Sequence, residues 1–169
     1  MRFSSTKRRH LEVYEGATVA NGPAMTWPIH TIGWLELNEP ERAATLLEKS
    51  YREYLRPPFN VWNMIPSDFD EGSNFVTGAG GFLQAIINGY GGIRLSSDSL
   101  EIRKQALPPG TTRLFIPEVN YITSRFSLEV LSGEIMVLFK AGSANAALQI
   151  VIDDDRIYNM CDSCSGRLR

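Results

Sequence analysis

The chain has 169 residues, 43% hydrophobic and 21% charged, with 17 Lys and Arg against 19 Asp and Glu and a net charge of -2. That is enough apolar material for one cored domain, or one and part of a second. It excludes the strongly basic balance of a nucleic-acid binder, and no run of about 18 apolar residues offers a membrane-spanning helix.

Residues 1–10 are basic, through Arg2, Lys7, Arg8 and Arg9, and no apolar stretch follows as a secretory signal would need. They read as a solvated, frayed terminus, with a targeting arm as the alternative. Two Cys imply no disulfide framework. Lack of a signal and of a disulfide pattern together favour a cytoplasmic compartment.

A first helix is predicted over residues 28–38. Pro28 suits its first turn, where the missing N–H is not needed, and Thr26 or Trp27 stands at the cap. Ile29, Ile32, Trp34, Leu35 and Leu37 leave almost no polar face, which predicts burial. A second helix is predicted over 39–55, capped by Asn38. Ala43, Leu46, Leu47, Tyr51 and Tyr54 form its apolar stripe, and Pro57 and Pro58 end it. Residues 59–76 read as a loop, long for a helix connection and therefore a place to look for function. It holds Trp62, Asp68, Asp70, Glu71 and Asn74. A third helix is predicted over 80–90, with Phe82, Leu83, Ile86, Ile87 and Tyr90 on one face. Thr77-Gly78-Ala79-Gly80-Gly81 precedes it, and Gly89, Gly91 and Gly92 close it.

Near residue 92 the apolar period changes from helical to alternating. Residues 92–95 and 99–103 read as a strand pair, 107–110 as a Pro-Pro-Gly turn, and 113–116 and 120–124 as further strands. Phe126, Leu128 and Val130 alternate with Ser127 and Glu129 as a half-buried strand. Ser132-Gly133 turns it into residues 134–140, a hairpin. Residues 147–152 give a strand and 153–155 a turn. Helices followed by strands predict two adjoining units rather than an alternating parallel sheet.

Four segments in this order resemble glycoside hydrolase family 65. They are Asn21-Gly22-Pro23-Ala24-Met25-Thr26-Trp27, then Gly33-Trp34-Leu35-Glu36-Leu37, then Asn74-Phe75-Val76-Thr77-Gly78-Ala79-Gly80-Gly81-Phe82-Leu83-Gln84-Ala85, then Gly89-Tyr90-Gly91-Gly92-Ile93-Arg94-Leu95. The likeness covers roughly residues 11–140. The first and third segments together resemble the hydrolases more than the phosphorylases. Within the hydrolases the likeness is to the branch acting on the glucosyl-galactosyl-hydroxylysine of collagen, with the acid trehalases second. The resemblance implies a mainly α, then β, fold. Residues 1–92 would be the last helices of an (α/α)6 barrel, and residues 93–169 part of a small antiparallel C-terminal β-domain. It also implies an α-glucoside as the carbohydrate partner, no cofactor and no metal. Helices without the rest of their barrel would expose apolar faces and so invite association.

Inverting glycosidases use two carboxyl groups about 6.5–9.5 Å apart, one protonating the leaving oxygen and one activating water on the opposite face. The resemblance places the acid, a Glu, on an earlier part of the barrel, outside this chain. It places the base, another Glu, shortly after a Val-Trp pair. Here Val61-Trp62 is followed by Asn63-Met64, and the Glu position falls on Met64, whose thioether takes no proton from water. Asp68, Asp70 and Glu71 are the candidate substitutes, read otherwise as solvated loop acids. Residues 77–81 have two readings. Their N–H groups at a helix start could hold an anion or a sugar hydroxyl, or their glycines serve a tight turn and close packing, the Lys of a P-loop being absent. Trp27, Trp62, Thr77, Gly78, Gly80 and Gly81 are thus the candidate substrate-binding residues. Trp34, on an apolar helix, reads as core, and His30 as a hydrogen-bonded core residue. Cys161-Asp162-Ser163-Cys164 reads as two incidental thiols, since a structural zinc site takes four ligands and neither His is near. Two functions remain: a segment of an inverting α-glucosidase, or a catalytically inactive remnant that binds sugar or a partner.

Overall fold

The computed structural model describes residues 2–18, 22–66, 72–97, 99–103, 106–141, 148–152, 156–159 and 165–168. The chain divides into two compact units, Met1–Gly89 and Tyr90–Arg169.

The first unit holds α1 (Arg2–Ala17), α2 (Thr26–Glu36) and α3 (Pro40–Arg52). A short hairpin of β1 (Leu55–Arg56) and β2 (Val61–Trp62) follows, then α4 (Val76–Gln84), which runs into one π-helical turn, Ala85–Tyr90. α1 corrects the expectation of a frayed terminus. Two of its charged residues, Arg8 and Glu15, make tertiary contacts. Glu15 accepts a hydrogen bond from Trp34 Nε1 at 2.6 Å and pairs with Arg42 at 3.1 Å. Arg8 bonds Glu39. The Arg42 guanidinium lies 3.8 Å from the Trp34 ring centroid and that of Arg8 5.7 Å, within the range of cation–π attraction. These contacts join residues far apart in sequence, so no local pattern announces them.

α2 buries Trp27, Thr31, Trp34 and Leu35, but Ile29 is 59% exposed, so the helix is not covered all round. Asn38 does not cap α3. It sits at φ 57° and gives its N–H to Leu35 O at 3.0 Å, ending α2 in the left-handed conformation that Asn tolerates. Glu39 takes the N-cap and Pro40 the first turn of α3. The α3 stripe of Ala43, Leu46 and Leu47 is buried as expected. The helix stops at Arg52, and Pro57 and Pro58 lie between β1 and β2. The described residues of 59–76 carry more regular structure than the expected loop. β1 pairs antiparallel with β2, Asn63 N bonds Tyr54 O at 2.9 Å, and Phe75 N bonds Trp62 O at 2.7 Å.

In the second unit the strands are β3 (Ile93–Leu95), β4 (Leu100–Arg103), β5 (Arg113–Tyr121), β6 (Ser124–Leu131), β7 (Glu134–Ala141), β8 (Leu148–Ile152), β9 (Arg156–Asn159) and β10 (Ser165–Leu168). They form two four-stranded sheets, ordered β10-β7-β6-β5 and β3-β4-β8-β9. The β3–β4 pair and the β6–β7 hairpin, with Gly133 at φ 79°, follow the sequence reading. The two strands expected at 113–116 and 120–124 are one strand, β5, whose register shifts between Ile116 and Val119. Pro117 lies at that shift and has no N–H to give the ladder, which is why the pattern breaks there. The expected all-antiparallel β-domain needs a second correction, because β4 and β8 pair in parallel. β8 follows β7 of the other sheet, so no tight hairpin fixes its direction. Ile93, Leu100 and Ile102 from one sheet and Phe126, Leu128, Val130, Ile135 and Val137 from the other share one core. Gly92 is fixed by its neighbours: at φ 68°, an added Cβ would fall 1.9 Å from Arg103 O.

Candidate functional site

Of the candidate residues, Trp62 and Gly78 meet where the β1–β2 hairpin approaches the start of α4, while Trp27 lies on α2. Trp27 is 4% exposed, and its Nε1 donates to Tyr54 Oη at 2.6 Å. Tyr54 Oη in turn donates to Gly22 O at 2.6 Å. Lys49 Nζ lies 4.0 Å from the Trp27 ring centroid. Both the edge and a face of this indole are therefore engaged inside the unit. Burial pushes the Tyr54 hydroxyl pKa up; the hydrogen bond from Trp27 works against that shift, and nearby Glu53 with it.

Trp62 is half-buried. Its Nε1 donates to Ser50 O at 3.1 Å, and its ring rests on Phe82 with centroids 5.4 Å apart. It lines an open groove of about 300 Å³ together with Asn60, Val61, Asn74, Phe75 and Ala79. Asn60 and Asn74 are exposed and have φ of 54° and 59°. The sequence reading marked Trp62 and Asn74 in a loop. It missed Asn60 and Phe75, because only the hairpin pairing brings them beside Trp62.

Residues 77–81 lie inside α4, not ahead of it. A Cβ on Gly78 would come within 2.9 Å of Ala24 Cβ and 3.0 Å of Trp62 Cδ1, so the missing side chain lets the helix reach the hairpin. Gly81 faces Pro28 of α2, whose Cγ would be 3.4 Å from an added Cβ. Gly80 faces open space and Thr77 is exposed. The N–H groups of Gly78 and Ala79 both bond Phe75 O, at 3.0 and 3.3 Å, which leaves fewer donors at this helix start for a ligand.

Met64 is 40% exposed and its backbone is held on both sides: Ala24 N bonds its carbonyl at 2.9 Å and its N–H bonds Gly72 O at 3.2 Å. The side chain at the expected base position thus stands at the surface. Asp68, Asp70 and Glu71 lie outside the described residues, as do Cys161 and Cys164. His30 is buried, but its Nδ1 has no hydrogen-bond partner among the described residues, against the hydrogen-bonded core residue expected. Burial lowers its pKa and nearby Glu15 partly opposes that. Among the described residues no group of three or more His, Cys, Asp or Glu is placed to hold a metal ion. No described helix is long and apolar enough to cross a membrane.

No protein-family model matches the chain. It is 43% identical over 122 residues to the protein-glucosylgalactosylhydroxylysine glucosidase of Dictyostelium discoideum, a match covering 72% of this chain and 17% of that protein. The glucosidase of the same name from Danio rerio is 37% identical over 152 residues, 87% of this chain and 22% of that protein. Among solved structures, a putative kojibiose phosphorylase from the human microbiome superposes with a TM-score of 0.66 at 15% identity, over 94% of this chain and 19% of that one. That likeness speaks for the fold alone. The chain thus spans about a fifth of the length of the curated relatives it matches. Over the residues matched it belongs to glycoside hydrolase family 65, in the branch of the protein-glucosylgalactosylhydroxylysine glucosidases.

Proposed function

We propose that this chain supplies the C-terminal, sugar-handling segment of an inverting α-glucosidase that releases glucose from glucosyl-galactosyl-hydroxylysine or a related α-glucoside. The observation that carries this reading is the 43% identity to a glucosidase of that name over 72% of the chain. In this reading residues 1–92 are the last helices of an (α/α)6 barrel, and residues 93–169 begin the C-terminal β-domain. Water attack at the anomeric carbon needs an acid and a base on opposite faces of the sugar. The acid would come from outside these 169 residues. The base would come from Asp68, Asp70 or Glu71, with Trp62 and the exposed Thr77 and Gly80 nearest the substrate. Trp27, Gly78 and Gly81 support the site from behind, since packing already occupies them.

One observation favours the second reading, a catalytically inactive segment that binds sugar or a partner. Met64 holds the place expected for the base, and its backbone is fixed there by accepting from Ala24 N–H and donating to Gly72 O. A glucose-release assay on the purified chain, with glucosyl-galactosyl-hydroxylysine and with trehalose, tests whether the chain completes a site by itself. The expected result is no release from the chain alone, because the acid is absent. Release abolished by one of Asp68→Asn, Asp70→Asn or Glu71→Gln would mean that the chain completes a site by itself, with that acid as base.

A further inference from the structure

We propose that the outward side of α1, with the cleft it forms against α2, is a docking surface for an acidic amphipathic helix of another protein. This surface is independent of whether the chain completes a glucosidase site. α1 turns one side inward, where Arg8 and Glu15 are held by Glu39, Trp34 and Arg42. Its other side leaves Lys7, Arg9 and His10 exposed, and none of these three has an ion-pair or hydrogen-bond partner among the described residues. One turn further on, Val13 is 61% and Tyr14 68% exposed. Residues four apart are neighbours on a helix surface, so Arg9 adjoins Val13 and His10 adjoins Tyr14.

The cleft between α1 and α2 has a volume of about 370 Å³. Leu11, Tyr14 and Leu37 give it apolar walls, and Lys7 and His10 line it from the α1 side. Gly33 brings the two helices close, since an added Cβ would fall 2.9 Å from Leu11 Cδ1. Glu36, on the α2 side, is already engaged within the chain. An apolar cleft beside unpaired cations suits a helix that lays apolar residues into it and sets carboxylates on its flank. Charge decides between occupants. A second copy offers little acid, because Glu15, Glu39, Glu48, Glu101 and Glu129 each pair with an arginine of their own chain. An anionic membrane is read by clusters of about 4–8 Lys and Arg, more than the unpaired Lys7 and Arg9 supply.

The test titrates the full 169-residue chain into a fluorescein-labelled peptide of Leu, Ala and Glu, its Leu on one helical face and its Glu on the flanks. The peptide has roughly 18 residues, long enough to hold a helix in water. A peptide of the same composition in shuffled order and phosphatidylserine vesicles are the controls. Fluorescence anisotropy, vesicle co-sedimentation and sedimentation mass are the readouts. Saturable binding of the amphipathic peptide is expected, with none of the shuffled one and no retention on vesicles. Lys7→Gln with Arg9→Gln should weaken binding about tenfold, the scale of a pair of exposed charge contacts. Val13→Ser with Tyr14→Ser should weaken it by a similar factor through the lost apolar contact. All four positions are exposed or solvent-facing, so the thermal melt should not move. No saturable binding of the amphipathic peptide overturns the proposal, as does binding undiminished in both double variants. Vesicle retention that the Lys7 and Arg9 changes abolish would give the surface to a membrane and overturn it. A sedimentation mass lowered by either double variant would give it to a second copy and overturn it equally.

Discussion

At the scale of single residues, the glycines of α4 have different reasons to be there. Gly78 would push a methyl into Ala24, Trp62 and Phe75, while Gly80 has nothing within 4 Å. Gly78→Ala should therefore destabilise by about 1–3 kcal/mol, as overpacking does. Gly80→Ala should stabilise by about 0.5–1 kcal/mol, because alanine loses less backbone entropy in a helix. Urea titrations of the two variants check this, and equal effects would contradict the packing described. The sequence displayed the Gly-rich run but not this difference, which depends on what faces each position. His30 offers a pH test. Its folded pKa is lowered by burial, so the unfolded chain takes up the proton first as pH falls. Stability is full above about pH 6.5, the ordinary imidazole value, and is lost as pH falls through the lower folded value. His30→Leu should flatten that acid limb in melts recorded between pH 7 and 5. An unchanged limb would place the acid sensitivity elsewhere.

At the scale of elements, the legible ones were those whose stabilising contacts are local or periodic. The α3 stripe and the β6–β7 hairpin carry their burial in spacings of three, four and two residues, and both stand where the pattern puts them. α1 was illegible for the opposite reason. Its mean composition is polar, and Glu15 and Arg8 dock it through Trp34, Arg42 and Glu39, between 19 and 31 residues away. Glu15→Gln should weaken this docking, with a loss of about 1–3 kcal/mol for a buried N–H given a poorer acceptor. A red shift of Trp34 emission, measured with Trp27 and Trp62 replaced by Phe, would report it. Unshifted emission would mean that α1 packs without Glu15. Of the candidate site, the sequence marked Trp62 and Asn74 but not that β1–β2 pairing sets Asn60 and Phe75 beside them. Trp27 drew notice as an aromatic, yet its buried hydrogen bond to Tyr54 is a three-dimensional fact no spacing reveals.

At the scale of the whole molecule, α4 packs one face against α2 and leaves the other apolar and exposed. Val76 is 78% and Leu83 57% exposed, with Ile87 and Gly80 on the same stripe. Exposed apolar stripes of this kind mark contact surfaces, and about four-fifths of the relatives' own length lies outside the match to this chain. The isolated chain should self-associate as concentration rises. Leu83→Glu should return its sedimentation mass toward 18.9 kDa; a monomer at all concentrations would argue against the stripe as a contact surface. The most direct measurement puts the chain in that missing context. The matched 122 residues of the Dictyostelium discoideum glucosidase are replaced by those of this chain, and glucose release from glucosyl-galactosyl-hydroxylysine is followed with and without Met64→Glu. The expected result is a folded chimera that releases glucose with Met64 in place and loses about 10²–10⁴-fold in rate, the usual contribution of a general base, on one of Asp68→Asn, Asp70→Asn or Glu71→Gln. A chimera inert until Met64→Glu is introduced would favour the inactive reading. A folded chimera that stays inert with Met64→Glu would contradict the assignment of this chain to a glucosidase site.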